Sequence, residues 1–411
     1  MLLLLLLATV AQDTTFLTPA AALERALDPQ VGRLAVAAAR IEAARGAGRE
    51  FGAAANPTLQ GMAENLGAQR QVTGRDGLAG TEGQVTLGLP LTLGGDLGAR
   101  RRSGAGTVQL AEAERDLLRA DLRAEVLEAM ALWERHRAVS EASRAERDAL
   151  AAVAAAMTAR AADGRDATAS AALARVEAAA AASRHARFLA DAARANANLA
   201  VLVHLPAGAA VALTPASCAA TAVPPVPVNG SPEVAVLAAR EEVASAGTAL
   251  AEALRVPDLT PLVGFRRSAG FSGLLLGLSI DLPLRNAHAG ALEAARAEED
   301  AARRSREAEA ELRQGAIDGH ARALEVLTAT SPRLGDRWRE DLDAIVVAEA
   351  TRLEVGEGSL YRLFDARRLR LAAITEAEDW RLEVRRQRIR LARRAGQLLD
   401  ESVLCIPEVG P

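Results

Sequence analysis

Aromatic side chains are nearly missing from this sequence: 411 residues contain 3 Trp, 1 Tyr and 6 Phe. So thin a supply excludes a platform for stacking nucleic-acid bases, which needs aromatic faces in series. Lysine is absent, every basic residue being Arg, and the formal net charge of −4 gives no field for drawing in a polyanion. The 2 cysteines, Cys218 and Cys405, and the 5 histidines lack metal-ligand spacing. Catalytic signatures are equally scarce. Gly94-Gly95-Asp96-Leu97-Gly98 is glycine-rich and opens a helix, but it lacks the phosphate-loop lysine and dinucleotide spacing. Glu241-Glu242 and Glu298-Glu299-Asp300 read as solvated helix faces, and His288 stands alone. No catalytic residue, cofactor or resident metal is expected.

The chain begins with six leucines followed by Ala-Thr-Val-Ala, ending at Ala11. A run this short does not span a bilayer but suits the apolar region of a signal peptide over residues 1–11. No Cys follows Ala11 to carry a lipid anchor.

What is abundant is alternation and helix. Leu274, Leu276, Leu278, Ile280, Leu282 and Leu284 share one face of a period-2 segment. Gly273, Gly277, Ser279 and Asp281 share the other, with Leu275 as the exception. The segment turns a corner through Pro283-Leu284-Arg285-Asn286 to Gly290 and then becomes a long Ala/Glu/Arg helix. The same arrangement occurs earlier, where Val85, Leu87, Leu89, Leu91 and Leu93 alternate with Gln84, Thr86, Gly88, Pro90 and Thr92. Leu89-Pro90-Leu91 corresponds to Leu282-Pro283-Leu284. Arg40 through Leu59 corresponds to Arg240 through Leu259, and Asp163-Gly164 to Val355-Gly356.

The chain is therefore a duplicated helix–strand–strand–long helix–helix unit, mainly α with a small β part. The first repeat covers 12–203, with strands about 57–66 and 83–93 and a tip near 164. A proline-rich connection, 204–231, joins it to the second repeat, 232–402. That repeat carries strands about 259–267 and 273–284 and a tip near 356; a tail, 403–411, follows.

The span from Gly98 to Gly164 equals that from Gly290 to Gly356, each roughly 100 Å long if helical. Leu110, Ala113, Leu117, Ala120, Ala124, Leu127 and Ala131 follow coiled-coil spacing in the first. Leu312, Ala316, Gly319, Ala323, Val326 and Thr330 do so in the second, which Pro332 should interrupt. Four strands per chain do not close a barrel, and an open sheet edge is untenable in lipid. One apolar and one small or polar face fit a barrel wall that lines water. Closure therefore demands several chains.

These features together resemble the TolC-type outer-membrane efflux proteins, with greatest similarity to the CzcC/CusC-like heavy-metal branch. The duplication, the corner Leu282-Pro283-Leu284-Arg285-Asn286 with Gly290, and the tip Val355-Gly356-Glu357-Gly358-Ser359-Leu360 with Leu363-Phe364-Asp365-Ala366-Arg367 carry the likeness. It spans about residues 18–400. The first tip, Ala162 to Thr168, is degenerate beside the second. The resemblance implies a homotrimer whose twelve-stranded outer-membrane β-barrel continues as an α-helical periplasmic tunnel. Implied partners are a periplasmic adaptor (membrane fusion) protein, an inner-membrane pump of the resistance–nodulation–division type and outer-membrane lipid. Heavy-metal cations enter as solutes through the branch likeness alone.

The resemblance also assigns residues. Gly164, Thr168, Gly356 and Ser359 fall at the turns where the adaptor docks. Asp365 matches an aspartate that forms a ring at the periplasmic constriction, and Arg362 replaces a second acidic position there. Cys218 and Cys405, both in segments expected to share an equatorial belt, are a candidate disulfide in an oxidising compartment. Arg100-Arg101-Arg102 and Arg266-Arg267 are candidates for contact with lipid or lipopolysaccharide phosphates. Two other classes compete with an export duct: a periplasmic adaptor, which the duplication disfavours, and a helical scaffold with the strands in its core.

Overall fold

The computed structural model describes residues 14–64, 66, 81–165, 167–206, 208–214, 231–268, 271–280, 288–330, 336–397 and 399–405. Outside them lie the expected signal segment, the corner from Leu282 to Asn286, Pro332, Cys218 and most of the proline-rich connection.

The first half runs β1 (Thr14–Leu17), α1 (Pro19–Ala26), α2 (Gly32–Phe51), β2 (Thr58–Glu64), β3 (Glu82–Gly88), α3 (Asp96–Ala162) and α4 (Thr168–Leu202). The second runs β4 (Ala210–Leu213), α5 (Pro232–Ala253), β5 (Leu259–Ser268), β6 (Phe271–Ile280), α6 (Ala289–Thr330), α7 (Asp336–Glu354) and α8 (Leu360–Arg394). A 3-10 turn, Glu401–Leu404, follows. The order α2-β2-β3-α3-α4 recurs as α5-β5-β6-α6/α7-α8, where α6 and α7 together occupy the place of α3. His204 and Gly396, at equivalent places after α4 and α8, both take positive φ, 55° and 69°.

The chain forms two compact units. One comprises residues 36–116 and 232–310. Its four strands make a single antiparallel sheet in the order β2-β3-β5-β6, so the inner pair β3-β5 joins the two repeats. Directly paired residues in an antiparallel ladder point to the same side. The register therefore sets Leu59, Val85, Leu87, Val263, Phe265, Leu274, Leu276 and Leu278 on one face. Thr58, Gln60, Gln84, Thr86, Gly264, Gly277 and Ser279 share the other, with Leu262 and Met62. The apolar face is bare, with Leu274 84% and Leu276 83% exposed. Among the described residues β2 and β6 have one strand neighbour each, which leaves one edge of each unpaired. Arg266 lies on the polar face, 3.2 Å from Glu82, while Arg267 is on the apolar one; the two adjacent arginines do not share an environment. Arg100 is bonded to Asp96 at 2.8 Å and Arg101 to the carbonyl of Gly52 at 3.1 Å, which leaves Arg102 the most available of its trio.

Helix packing in this unit uses the small residues the sequence is rich in. A Cβ on Gly104 would sit 2.9 Å from the Cα of Gly48, so α2 and α3 touch backbone to backbone there. Ion pairs flank the contact, Arg45 to Glu112 at 2.9 Å and Arg240 of α5 to Glu114 of α3 at 3.5 Å.

The other unit comprises residues 1–35, 117–231 and 311–411. Its core gathers Leu23, Leu127, Met130, Leu199, Val203, Val211, Leu382, Ile389 and Leu404 from α1, α3, α4, β4, α8 and the final turn. β1 pairs with β4 in parallel, and Asn196 of α4 bonds both backbone groups of Val211. Of the two expected seams, Leu127 and Ala131 on α3 are buried inside the chain. Leu312 and Val326 on α6 are instead 72% and 65% exposed, so the chain alone does not cover the second seam.

Among the described residues, no helix is long and apolar enough to cross a membrane.

Candidate functional site

The helix reversals at Gly164 and Gly356 have the same internal wiring. At the first, the Gly164 N–H donates to the Ala161 carbonyl and the Arg165 N–H to the Arg160 carbonyl, at 3.1 and 2.8 Å. At the second, the Gly356 N–H donates to Leu353 and the Glu357 N–H to Arg352, at 3.3 and 3.0 Å. This is the doubly bonded helix terminus that needs a left-handed residue after the last helical position. Both glycines supply it, with φ of 72° and 84°. Thr168 opens α4 and is exposed, as is Gly164; Ser359 is the N-cap of α8 and is half-buried behind the exposed Gly356. Neither N-cap position bonds its helix through a side chain, so the Ser359 hydroxyl is not committed to capping.

Behind the tips, Leu360 and Phe364 of α8 are buried with Leu150, Ala154 and Met157 of α3 and with Ala171, Ala174 and Ala181 of α4. Within the motif, Leu363, Phe364 and Ala366 thus face inward, while Tyr361, Arg362, Asp365 and Leu369 are exposed. Asp365 has no ion-pair partner within 4 Å among the described residues. The arginine one turn on, Arg368, gives both its bonds to Glu177 of α4.

Two buried carboxylates, missed from sequence, anchor this part of α8. Glu177 is 5% exposed and accepts bonds from Arg368 and, at 3.1 Å, from Arg184. The Arg368 bonds, reinforced by Arg184, hold its carboxyl below the usual carboxylate range despite burial. Glu146 of α3 is 3% exposed and accepts one bond, at 3.3 Å, from Arg367. Here burial prevails over the attraction of Arg367 and pushes the carboxyl up. A legible signal existed: Val139, Ser143, Glu146 and Leu150 keep core spacing along α3, as do Ala174, Glu177 and Ala181 on α4. An acid at a seam position demands a buried cation opposite it.

Of the candidate disulfide, Cys405 is buried at the end of the 3-10 turn, and no described cysteine is free; Cys218 lies outside the described residues. No group of three or more His, Cys, Asp or Glu among the described residues is arranged to hold a metal ion.

Comparison with known proteins gives the arrangement a context. Residues 22–203 match the model of a family described as outer membrane efflux protein. No curated protein sequence matches. The outer membrane protein VceC from Vibrio cholerae is similar in structure, with TM-score 0.73 and 18% identity over 92% of this chain and 96% of that one. CusC, studied for transmembrane channel formation, gives TM-score 0.74 and 16% identity over 92% and 91%. The Campylobacter jejuni CmeC outer membrane channel gives 0.74 and 13% over 91% and 85%. The first repeat thus matches the outer membrane efflux protein family, and the chain as a whole has the fold of these channel proteins.

Proposed function

We propose that this protein is the outer-membrane channel of a tripartite efflux system: a passive, non-enzymatic export duct. The observation that carries the reading is the open-edged sheet with one bare apolar face. A four-stranded sheet with unpaired edges is unstable in lipid unless further copies pair with it, and the apolar face suits contact with acyl chains. Three copies make the twelve-stranded barrel that the family resemblance implies, with the polar face lining water. The long helices continue it as a periplasmic tunnel, and the exposed seam on α6 is available to a neighbouring copy. Residues 1–11 act as the signal peptide, and the two repeats with their connection and tail divide at 203, 231 and 402.

The tips, with Gly164, Thr168, Gly356 and Ser359, receive the periplasmic adaptor, which links the duct to an inner-membrane pump of the resistance–nodulation–division type. Asp365, exposed and with no ion pair within 4 Å among the described residues, contributes with Arg362 to a constriction where three carboxylates surround one axis. Cys218 and Cys405 pair across the belt. The heavy-metal branch rests on the corner and tip motifs; CusC at 16% identity and VceC at 18% do not separate it from other branches. The alternative reading, a periplasmic adaptor or helical scaffold, leaves the bare sheet face and its edges unexplained.

Cell fractionation followed by gel migration with and without heating tests the proposal. The expected result is an outer-membrane protein that runs as a heat-dissociable trimer. Recovery as a soluble monomer would overturn it.

A further inference from the structure

α8 runs antiparallel to α3, and a ladder of ion pairs ties them: Asp121–Arg393 at 2.5 Å, Glu128–Arg390 at 3.4 Å, Glu134–Arg385 at 2.7 Å, Arg135–Asp379 at 2.8 Å and Glu146–Arg367 at 3.3 Å. Among the described residues, the last is the rung nearest the Gly356 tip. It is also the most buried and the least complete. Glu146 Oε1 and Arg367 Nε are both buried, and each lacks a hydrogen-bond partner among the described residues.

We propose that Glu146 is a release element: an incompletely bonded buried carboxylate that keeps the tip end of α8 poised to leave α3 near neutrality, and seats it firmly once protonated. A buried ion pair is favourable only when its remaining lone pairs and protons are also satisfied. Here they are not, so ionised Glu146 carries a desolvation cost that its one bond to Arg367 does not offset; the carboxylic acid avoids that cost, at the smaller one of leaving Arg367 without its counter-ion.

The surroundings do not reverse this. From α8, Arg367 and Arg370 face Glu146, and Arg370 is itself bonded to Asp343 of α7. From α4, Arg184 is shared with Glu177, and His185 is bonded at 3.0 Å to Ser143 of α3. On α3, Arg147 turns to Asp148. Burial still outweighs these cations and raises the Glu146 pKa. A carboxyl whose pKa is higher when seated than when exposed favours the seated state below its ordinary pKa. That contribution is lost as pH rises through the raised value. Glu177 has the opposite sign: its depressed pKa makes it an anchor above the ordinary carboxylate range, lost only as pH falls through the depressed value. Acidification from neutrality therefore tightens the tip end of α8. For its consequence the inference rests on the duct reading, since this stretch carries Asp365.

Hydrogen exchange of the amides from Leu360 to Arg370 tests it on the full assembled chain in detergent, with rates corrected for the pH dependence of intrinsic exchange. The parent should show several-fold higher protection once pH has fallen through the raised Glu146 value than at neutrality. Glu146→Gln should show the higher value at both, and Glu177→Gln should lose protection at both. Equal protection of Glu146→Gln and the parent at neutrality would overturn the proposal, as would parent protection that is flat or falls on acidification. The parent profile decides alone should the Gln variant not assemble. The readout involves no transport, so failure of the duct reading would appear in fractionation and leave the exchange result standing.

Discussion

At the scale of single residues, the α8 stretch separates structural from functional charge. Arg367 and Arg368 are spent on Glu146 and Glu177, whereas Asp365 between the tip and those anchors is exposed. Like charges brought together on an axis repel and attract cations, so in the trimer proposed above three copies of Asp365 would form a cation-preferring constriction that Arg362 partly offsets. Asp365→Ala is expected to lower cation selectivity and relieve block by multivalent cations in planar-bilayer conductance, with assembly unchanged. Identical selectivity and block in variant and parent would place the constriction elsewhere. At the tip, the half-buried Ser359 makes no side-chain capping bond, so replacing it removes no cap from α8. Ser359→Trp should leave the oligomer intact and abolish export in a resistance assay; normal resistance would remove Ser359 from the adaptor contact.

At the scale of elements, the strands give the sharpest expectation. Leu278 lies on the apolar face and Ser279 on the polar one, as the ladder between β5 and β6 fixes. A water-soluble thiol reagent should react with Ser279→Cys and spare Leu278→Cys in membranes, and the reverse would invert the register. Leu278→Arg should cost roughly 2–4 kcal/mol if it sits near the bilayer midplane, measured by denaturant titration in lipid. Much of this layer was legible beforehand. Period-2 leucines give the strands, and glycine at matched positions gives both reversals, because each follows from local sterics and one-dimensional periodicity. The pairing of β3 with β5 was not legible, since nothing local to Val85 names Phe265 as its neighbour. The α3–α8 ladder was hidden for the same reason: core spacing marks Glu146 as a buried acid, but nothing local to it names Arg367 as its partner. The role proposed for Asp365 comes only from family likeness, because an exposed aspartate on a helix carries no periodicity of its own.

At the scale of the whole molecule, one chain leaves several surfaces unfinished among the described residues: two sheet edges, one apolar sheet face and the α6 seam. Covalent closure within the chain is a separate matter. If Cys218 and Cys405 pair, thiol blocking under native conditions should leave both unalkylated, and reduction should shift gel mobility. Two alkylated cysteines in the native oligomer would end that pairing. The central claim is that copies of this chain complete one another's sheets in a closed ring. Cysteine trapping across the open edges tests it most directly, with Leu59→Cys on β2 combined in turn with Leu274→Cys, Leu276→Cys or Leu278→Cys on β6, all on the same face of the ladder. Oxidised outer membranes should yield linked dimers and trimers and nothing larger for at least one combination, with neither single variant linking. Absence of cross-links in every combination, or an open-ended series of larger products, would contradict a closed three-chain barrel.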